Sequence, residues 1–209
     1  MWNSMKRKRS ARNRRARRRL FLILLALLAL LLVWPRTVHL EGLVSPYAIL
    51  VDADSGEAVA EKEADTSIYP ASMTKVMTAL LALEANPDLE QPVTLPEDIF
   101  PALRAEGASM AGFRPGETAT VRDLLYGALL PSGAECCEAL AREVSGSEEA
   151  FVELMNRKAA ELGMRSTHFC NPTGLHDPEH VSTVRDMARL LQAAMQNETF
   201  RAILSAGHY

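Results

Sequence analysis

Cysteine is scarce. The 209 residues hold three, Cys136, Cys137 and Cys170. So few thiols exclude a disulfide framework, and an odd count outside the cell leaves at least one free or bonded to another chain. None of their spacings matches a structural zinc site. Cys136 and Cys137 are neighbours on an expected helix and point in different directions, so they read as small buried apolar residues. Acid is absent from residues 1–19, which hold ten Lys and Arg; the rest of the chain carries 13 basic and all 26 acidic side chains, a formal −13. No internal repeat and no low-complexity linker follows that basic stretch.

A basic tail can mean nucleic acid. Here it runs into Leu20–Trp34, "LFLILLALLALLLVW", fifteen apolar residues without a charge. That pairing reads as membrane targeting with the positive end kept in the cytoplasm, and no nucleic-acid partner is expected. Fifteen helical residues span about 22 Å, short of the roughly 30 Å hydrocarbon core, which suits a cleaved signal peptide. The segment at its end, "WPRTVHLEG", has no A-x-A-like site, so an uncleaved signal anchor is preferred, its reach extended by snorkelling arginines and Trp34. Either way the body is exported. The expected organisation is a basic cytoplasmic tail over 1–19, a signal anchor or signal peptide over 20–34, a linker over 35–44 and a catalytic domain over 45–209.

Within that domain, "SPYAILVDADSGEAVAEKEAD" reads as two strands around Asp54-Ser55-Gly56, Gly56 supplying a turn conformation costly to other residues. A helix is expected over 71–85, ended by Asn86-Pro87. The Pro- and Gly-rich stretch 88–120 reads as loop and small strands on one edge. Further helices are expected at "VRDLLYGALL", at 134–144, at "EEAFVELMNRKAAELGM" and at "TVRDMARLLQAAMQ", the last with Thr183 and Asp186 spaced as a capping-box variant. "RSTHFCNPTGLHDPEHVST" reads as loop. A two-stranded hairpin cannot stand alone, so its apolar face needs more strands or the helices.

The chemistry begins at "YPASMTKVMTALLALE". Ser72 and Lys75 are three apart, on one helical face and within reach of each other. A hydroxyl is a poor nucleophile until a base takes its proton. Free lysine titrates near 10.4, and only burial or a neighbouring cation lowers that enough for it to act as a base. The apolar run after Lys75 offers burial, and the helix start offers a positive dipole end for an oxyanion.

Three segments in order, "PASMTKVMTALLALE", "ASMAGFRPGETATVRDLLYGALLPSGAECCEALA" and "FCNPTGLHDPEHVSTVRDMARL", resemble the serine D-Ala-D-Ala carboxypeptidases, the low-molecular-weight penicillin-binding proteins. The resemblance covers nearly all of residues 45–205. It implies an α/β (α+β) fold of the serine β-lactamase and penicillin-binding-protein kind, a helical cluster packed on an antiparallel sheet. It implies Ser72 as acylated nucleophile, Lys75 as its base, and Ser132 of "SGA" as the proton relay of the second motif. Ala134 stands at a substrate-contacting position where asparagine is usual.

The resemblance further implies peptidoglycan pentapeptide as substrate, β-lactams as covalent inhibitors, no cofactor and no metal. The expected location is the outer face of a bacterial cytoplasmic membrane, or the wall if the signal is cleaved. The family's third motif is K-T-G, on a strand that binds the substrate carboxylate. Thr-Gly follows none of Lys6, Lys8, Lys62, Lys75 and Lys158. The domain is therefore expected to lack its C-terminal strands, leaving the apolar face of the Ser72 helix uncovered. The rival readings are a catalytically impaired wall-binding relative, a β-lactamase, for which "ELMN" at 153–156 is a poor deacylating loop, and a zinc hydrolase using His176, Asp177, Glu179 and His180. Pro178 breaks any helix that would align those two histidines. Arg114 and Glu117 read as a solvated turn, and Ser109 as bordering a cleft.

Overall fold

Asp52 builds the first turn. Its Oδ1 accepts from the backbone N–H groups of Asp54 and Ser55 and from the Ser55 hydroxyl, at 2.8–3.1 Å. The turn joins strand β1 (Ala48–Val51) to antiparallel β2 (Ala58–Lys62), pairing Ala48 with Lys62 and Leu50 with Ala60 before a register shift at Leu50/Val51. The computed structural model describes Ile23, Val38, Leu40, residues 42–85 and residues 88–209. The expected basic tail, the apolar segment 20–34 apart from Ile23, half of the linker and the Asn86-Pro87 stop lie outside the described residues. Among those described, no helix is long and apolar enough to cross a membrane.

The helix expected over 71–85 arrives in two parts. A 3₁₀ turn over Ala71–Thr74 tightens its start, and α1 continues as Lys75–Ala85. The stretch 88–120 departs from the reading as loop and small strands. The small strands are there, β3 (Pro92–Thr94) and β4 (Thr118–Thr120), paired antiparallel. Between them lies an unexpected helix, α2 (Ile99–Ala105). Its Pro101 sits in the first turn, where the missing N–H has no helical partner to lose. Ile99, Phe100 and Leu103 are buried at 1–5% exposure and hold it down.

The remaining helices are α3 (Val121–Leu129), α4 (Ala134–Ser145), α5 (Glu148–Glu161), α6 (Val184–Ala194) and α7 (Glu198–Leu204). All but α7 match expectation. The helix α4 is the hub: Cys136, Cys137, Ala139, Leu140 and Ala141 are at most 1% exposed, and α1, α2, α3 and α5 all pack on it. The two cysteines are thus core residues, and burial pushes the Cys137 thiol up to about 12. Phe151, Phe169 and Phe200 are fully buried and fill the same core.

The capping chemistry is redistributed. Thr183 accepts from the Asp186 N–H, but Asp186 does not reach back; its Oδ2 accepts from the Ser166 N–H and the Thr167 hydroxyl instead. The reciprocal box occurs at α3, where Thr120 and Asp123 each accept from the other's backbone N–H. An isolated bridge from Ile68 to Ser182 stitches the stretch before Ser72 to the long loop before α6, and a second, His168 to Val181, closes that loop on itself.

A trough of about 560 Å³ runs between β1, α1 and α6, lined by Ile49, Leu50, Val76, Met187 and Leu191 among others. Leu50, Met73, Leu191 and Leu204 are 41–44% exposed along it. Of the segment that carries Ser72, Met73 is exposed and Val76 half-buried on this trough, while Met77 and Ala79 to Ala82 are buried in the core. Loss of the reciprocal cap in Thr120→Ala lowers stability by about 1 kcal/mol. Leu140→Ala, in the hub, lowers it by about 3 kcal/mol. Urea midpoints at constant m-value measure both.

Candidate active site

Pro70 turns the chain into the Ala71–Thr74 coil, and Ala71 takes the left-handed region, with φ 48°. An L-residue there is strained, on the order of 1–3 kcal/mol, and such strain collects at functional turns. The next residue, Ser72, is exposed. Lys75, one turn on, is only 4% exposed. Its Nζ donates to Ser72 Oγ at 3.0 Å and to the Thr173 carbonyl at 2.7 Å. Burial drives the lysine below its ordinary value, with the nearby Cys137 and Glu135 opposing that shift. Burial thus makes this amine easier to deprotonate than a solvated lysine, and it lies within hydrogen-bond reach of a hydroxyl.

Three neighbours on α1 and its lead-in hold the loop that presents the Thr173 carbonyl. Thr78 donates to the Pro172 carbonyl at 2.6 Å, Lys75 to Thr173, and Thr74 Oγ1 lies 2.8 Å from His180 Nε2. The loop also braces itself. Asn171 Oδ1 accepts from the Thr173 N–H, the Thr173 hydroxyl and the Gly174 N–H, while its amide donates to Leu175. Asn156 on α5 clamps the loop's start through both the N–H and the carbonyl of Phe169. Gly174, with φ +80°, has no room for a side chain: a Cβ would sit 1.9 Å from the Ala71 carbonyl oxygen. Reading the sequence as plain loop over 165–183 missed all of this. The Asn-Pro-Thr-Gly turn was its visible sign.

Ser132 sits between α3 and α4, also left-handed, with φ 64°. Its Oγ is buried and has no hydrogen-bond partner. No hydrogen bond joins it to Ser72 or Lys75, though Glu135 and Cys137, on the helix it introduces, lie close enough to Lys75 to act on its charge. Ala134 is buried, and its N–H donates to the Ser109 carbonyl at 2.8 Å, so Ser109 borders this turn through its backbone. Glu135 fixes the same loop, its Oε1 accepting from Ala111 and Gly112 N–H at 2.7 and 2.9 Å. Arg114 and Glu117 form a local exposed turn.

His180 is buried with both ring nitrogens engaged, Nε2 at Thr74 and Nδ1 accepting from the Cys170 N–H. His176 packs edge-on to Tyr69, with ring centroids 4.7 Å apart. His180 is thus committed to the fold, which argues against a zinc site that needs both histidines. In "ELMN" the Asn156 amide is committed to α5 and to Phe169, which argues against a deacylating loop there.

The sequence matches the family of D-alanyl-D-alanine carboxypeptidases over residues 36–205. It is 38% identical over 154 residues to D-alanyl-D-alanine carboxypeptidase DacF of Bacillus subtilis, covering 73% of this chain and 39% of that protein. With DacC of Escherichia coli it is 39% identical over 170 residues, 78% of this chain and 42% of the relative. The Streptomyces K15 DD-transpeptidase superposes with a TM-score of 0.70 at 34% identity, over 75% of this chain and 62% of the other. Penicillin binding protein 6B of E. coli gives 0.74 at 28% identity, over 81% and 55%. The chain thus spans about two-fifths of the two carboxypeptidases it matches, and the α+β fold is that of the penicillin-binding DD-peptidases.

The loop contacts set two expected outcomes. Gly174→Ala separates the loop from Ala71 and lowers stability by at least about 2 kcal/mol, read from denaturant midpoints. Burial holds His180 down to about 4, against 6.5 when free. The unfolded chain therefore takes up this proton first, and the stability tied to His180 falls as pH drops from 6.5 to 4, by up to about 3 kcal/mol. Wild type minus His180→Gln, across urea titrations at each pH, isolates that slope; above pH 7 the difference is flat.

Proposed function

The chain belongs to the D-alanyl-D-alanine carboxypeptidase family, and from that membership we propose that it works as a serine-type D-Ala-D-Ala carboxypeptidase through an acyl-enzyme. The single observation that carries the reading is Lys75 Nζ, buried and 3.0 Å from an exposed Ser72 Oγ. Solvent cannot satisfy the amine there, and its other fixed partner, the Thr173 carbonyl, only accepts. For acylation the amine gives up its charge, keeps its donation to that carbonyl and turns its lone pair to the serine proton.

Ser72 Oγ attacks the carbonyl of the penultimate D-alanine as its proton passes to Lys75. The start of the helix favours the oxyanion. The C–N bond breaks, and the departing D-alanine amine takes a proton delivered through Ser132, whose buried, unpartnered hydroxyl is free to bond to an incoming group. Water then attacks the ester, Lys75 again taking the proton, and releases the shortened stem peptide. β-Lactams present a similar carbonyl in a strained ring and acylate Ser72. Ala134 offers no amide to the substrate, which lowers affinity rather than removing chemistry. Peptidoglycan stem peptide is the substrate class. The Leu20–Trp34 run behind ten basic residues supports anchoring at the outer face of the cytoplasmic membrane.

A second reading, an impaired wall-binding relative, is favoured by Ala134, which stands where a substrate-contacting amide is usual. A fluorescent penicillin labels the wild type and leaves Ser72→Ala unlabelled, while Lys75→Met labels at least about 100-fold more slowly. Equal labelling of wild type and Ser72→Ala removes the serine assignment. Penicillin labelling without release of D-alanine from a D-Ala-D-Ala peptide selects the second reading.

A further inference from the structure

The loop that presents the Thr173 carbonyl also walls a separate recess of about 350 Å³, closed on its other sides by α2, α4 and the start of α5. Its sides are apolar where Ile99, Leu103 and Leu175 face it. The rest is acidic. Glu138 and Glu148 stand together there, with Asp98 and Glu106 on the α2 side. The one basic side chain facing them, Arg142, is already held by both oxygens of Asp98 at 2.9 Å. Glu138 is 6% exposed, and its Oε2 is sealed from solvent with no hydrogen-bond partner. No step of the serine chemistry uses it. A carboxyl buried without a donor is costly, and a ligand whose ammonium reaches the part of Glu138 that lines the recess recovers some of that cost.

We propose that this recess binds a primary alkylammonium group, its charge at Glu138 and Glu148 and its stem along Ile99, Leu103 and Leu175. The wall chemistry chooses this class. A calcium-type ion needs six to eight oxygens, and among the described residues no three His, Cys, Asp or Glu side chains are placed to hold a metal ion. A guanidinium looks for a planar bidentate partner, and the carboxylate offering that, Asp98, is taken by Arg142. An ammonium is a compact charge with three donors on an apolar stem.

Protonation supports the same reading. Burial, reinforced by the Glu148 charge and opposed by Arg142, pushes the Glu138 carboxyl up to about 8. Near neutrality it holds a proton, and a bound ammonium displaces it. The other groups facing the recess are Cys170, His176 and Asp177 on the loop. Asp177 is held low by the Glu179 N–H and stays charged through this range.

Titration calorimetry of the whole protein tests the proposal, with 1,5-diaminopentane as the free amine and Nα-acetyl-lysine methylamide as the peptide-borne one. At pH 7, in two buffers of different ionisation enthalpy, at least one probe binds saturably with proton release. The tighter probe identifies the source. Glu138→Gln, an isosteric change that leaves the thermal transition intact, lowers affinity at least about tenfold and abolishes proton release. Ile99→Ala weakens binding with proton release unchanged. The proposal is overturned if neither probe gives saturable heat, if Glu138→Gln binds as wild type does, if Glu148→Gln and Ile99→Ala both leave affinity unchanged, or if calcium displaces the amine at equal concentration. Penicillin labelling at Ser72 reads the serine chemistry separately, so failure of one leaves the other standing.

Discussion

Everything at the serine depends on where one amine spends its hydrogen bonds. Lys75 Nζ has two fixed neighbours, a hydroxyl on its own helix and a main-chain carbonyl nearly a hundred residues away in sequence. The first makes it useful. The second orients it and, with the surrounding core, keeps water off it. A lysine on the same helical face with no covering loop would be solvated and charged, and the hydroxyl beside it would be inert. The pair is therefore not a property of α1 alone. It exists because the 165–183 loop is held down, by Thr74 and Thr78 from one side and Asn156 from another.

Strain and burial converge on the same place. The residue before Ser72 and the residue Ser132 itself are two of three non-glycine positions with positive φ among the described residues. Holding such turns takes a rigid surround. The hub helix α4 supplies it, with a face of small, fully buried residues that lets α1 and α3 approach closely. The same helix carries Glu135 and Glu138, two carboxyls with sealed oxygens that lack partners. One oxygen of Glu135 has the Ala111 and Gly112 backbone to satisfy it, whereas no described residue donates to Glu138. That difference separates a structural acid from a candidate ligand site.

Much of this was legible in the residues. The hairpin, the small strand pair and five of the helices α1 to α7 among the described residues follow from apolar periodicity and turn residues, because each is stabilised by its own pattern of burial. The Ser72–Lys75 pair was legible because three residues of helix place two side chains together whatever the rest of the chain does. Two helices were not. In "IFPALRA" a proline masks a helix that three buried apolar side chains secure, and α7 is only seven residues long. The Thr183–Asp186 spacing promised a reciprocal cap, but a buried aspartate found better donors at Ser166 and Thr167. The role of Thr173 and His180 was hidden for a different reason: it is a matter of contact across about a hundred residues, which no local pattern encodes.

The acceptor that steadies the amine is a peptide oxygen, and a peptide oxygen has no codon. No exchange of the side chain at 173 deletes it directly. The vulnerability is displaced by one position, to a glycine whose single hydrogen is all that separates two backbones. Evolution can thus vary what surrounds this contact and still keep it, provided it leaves that one hydrogen alone.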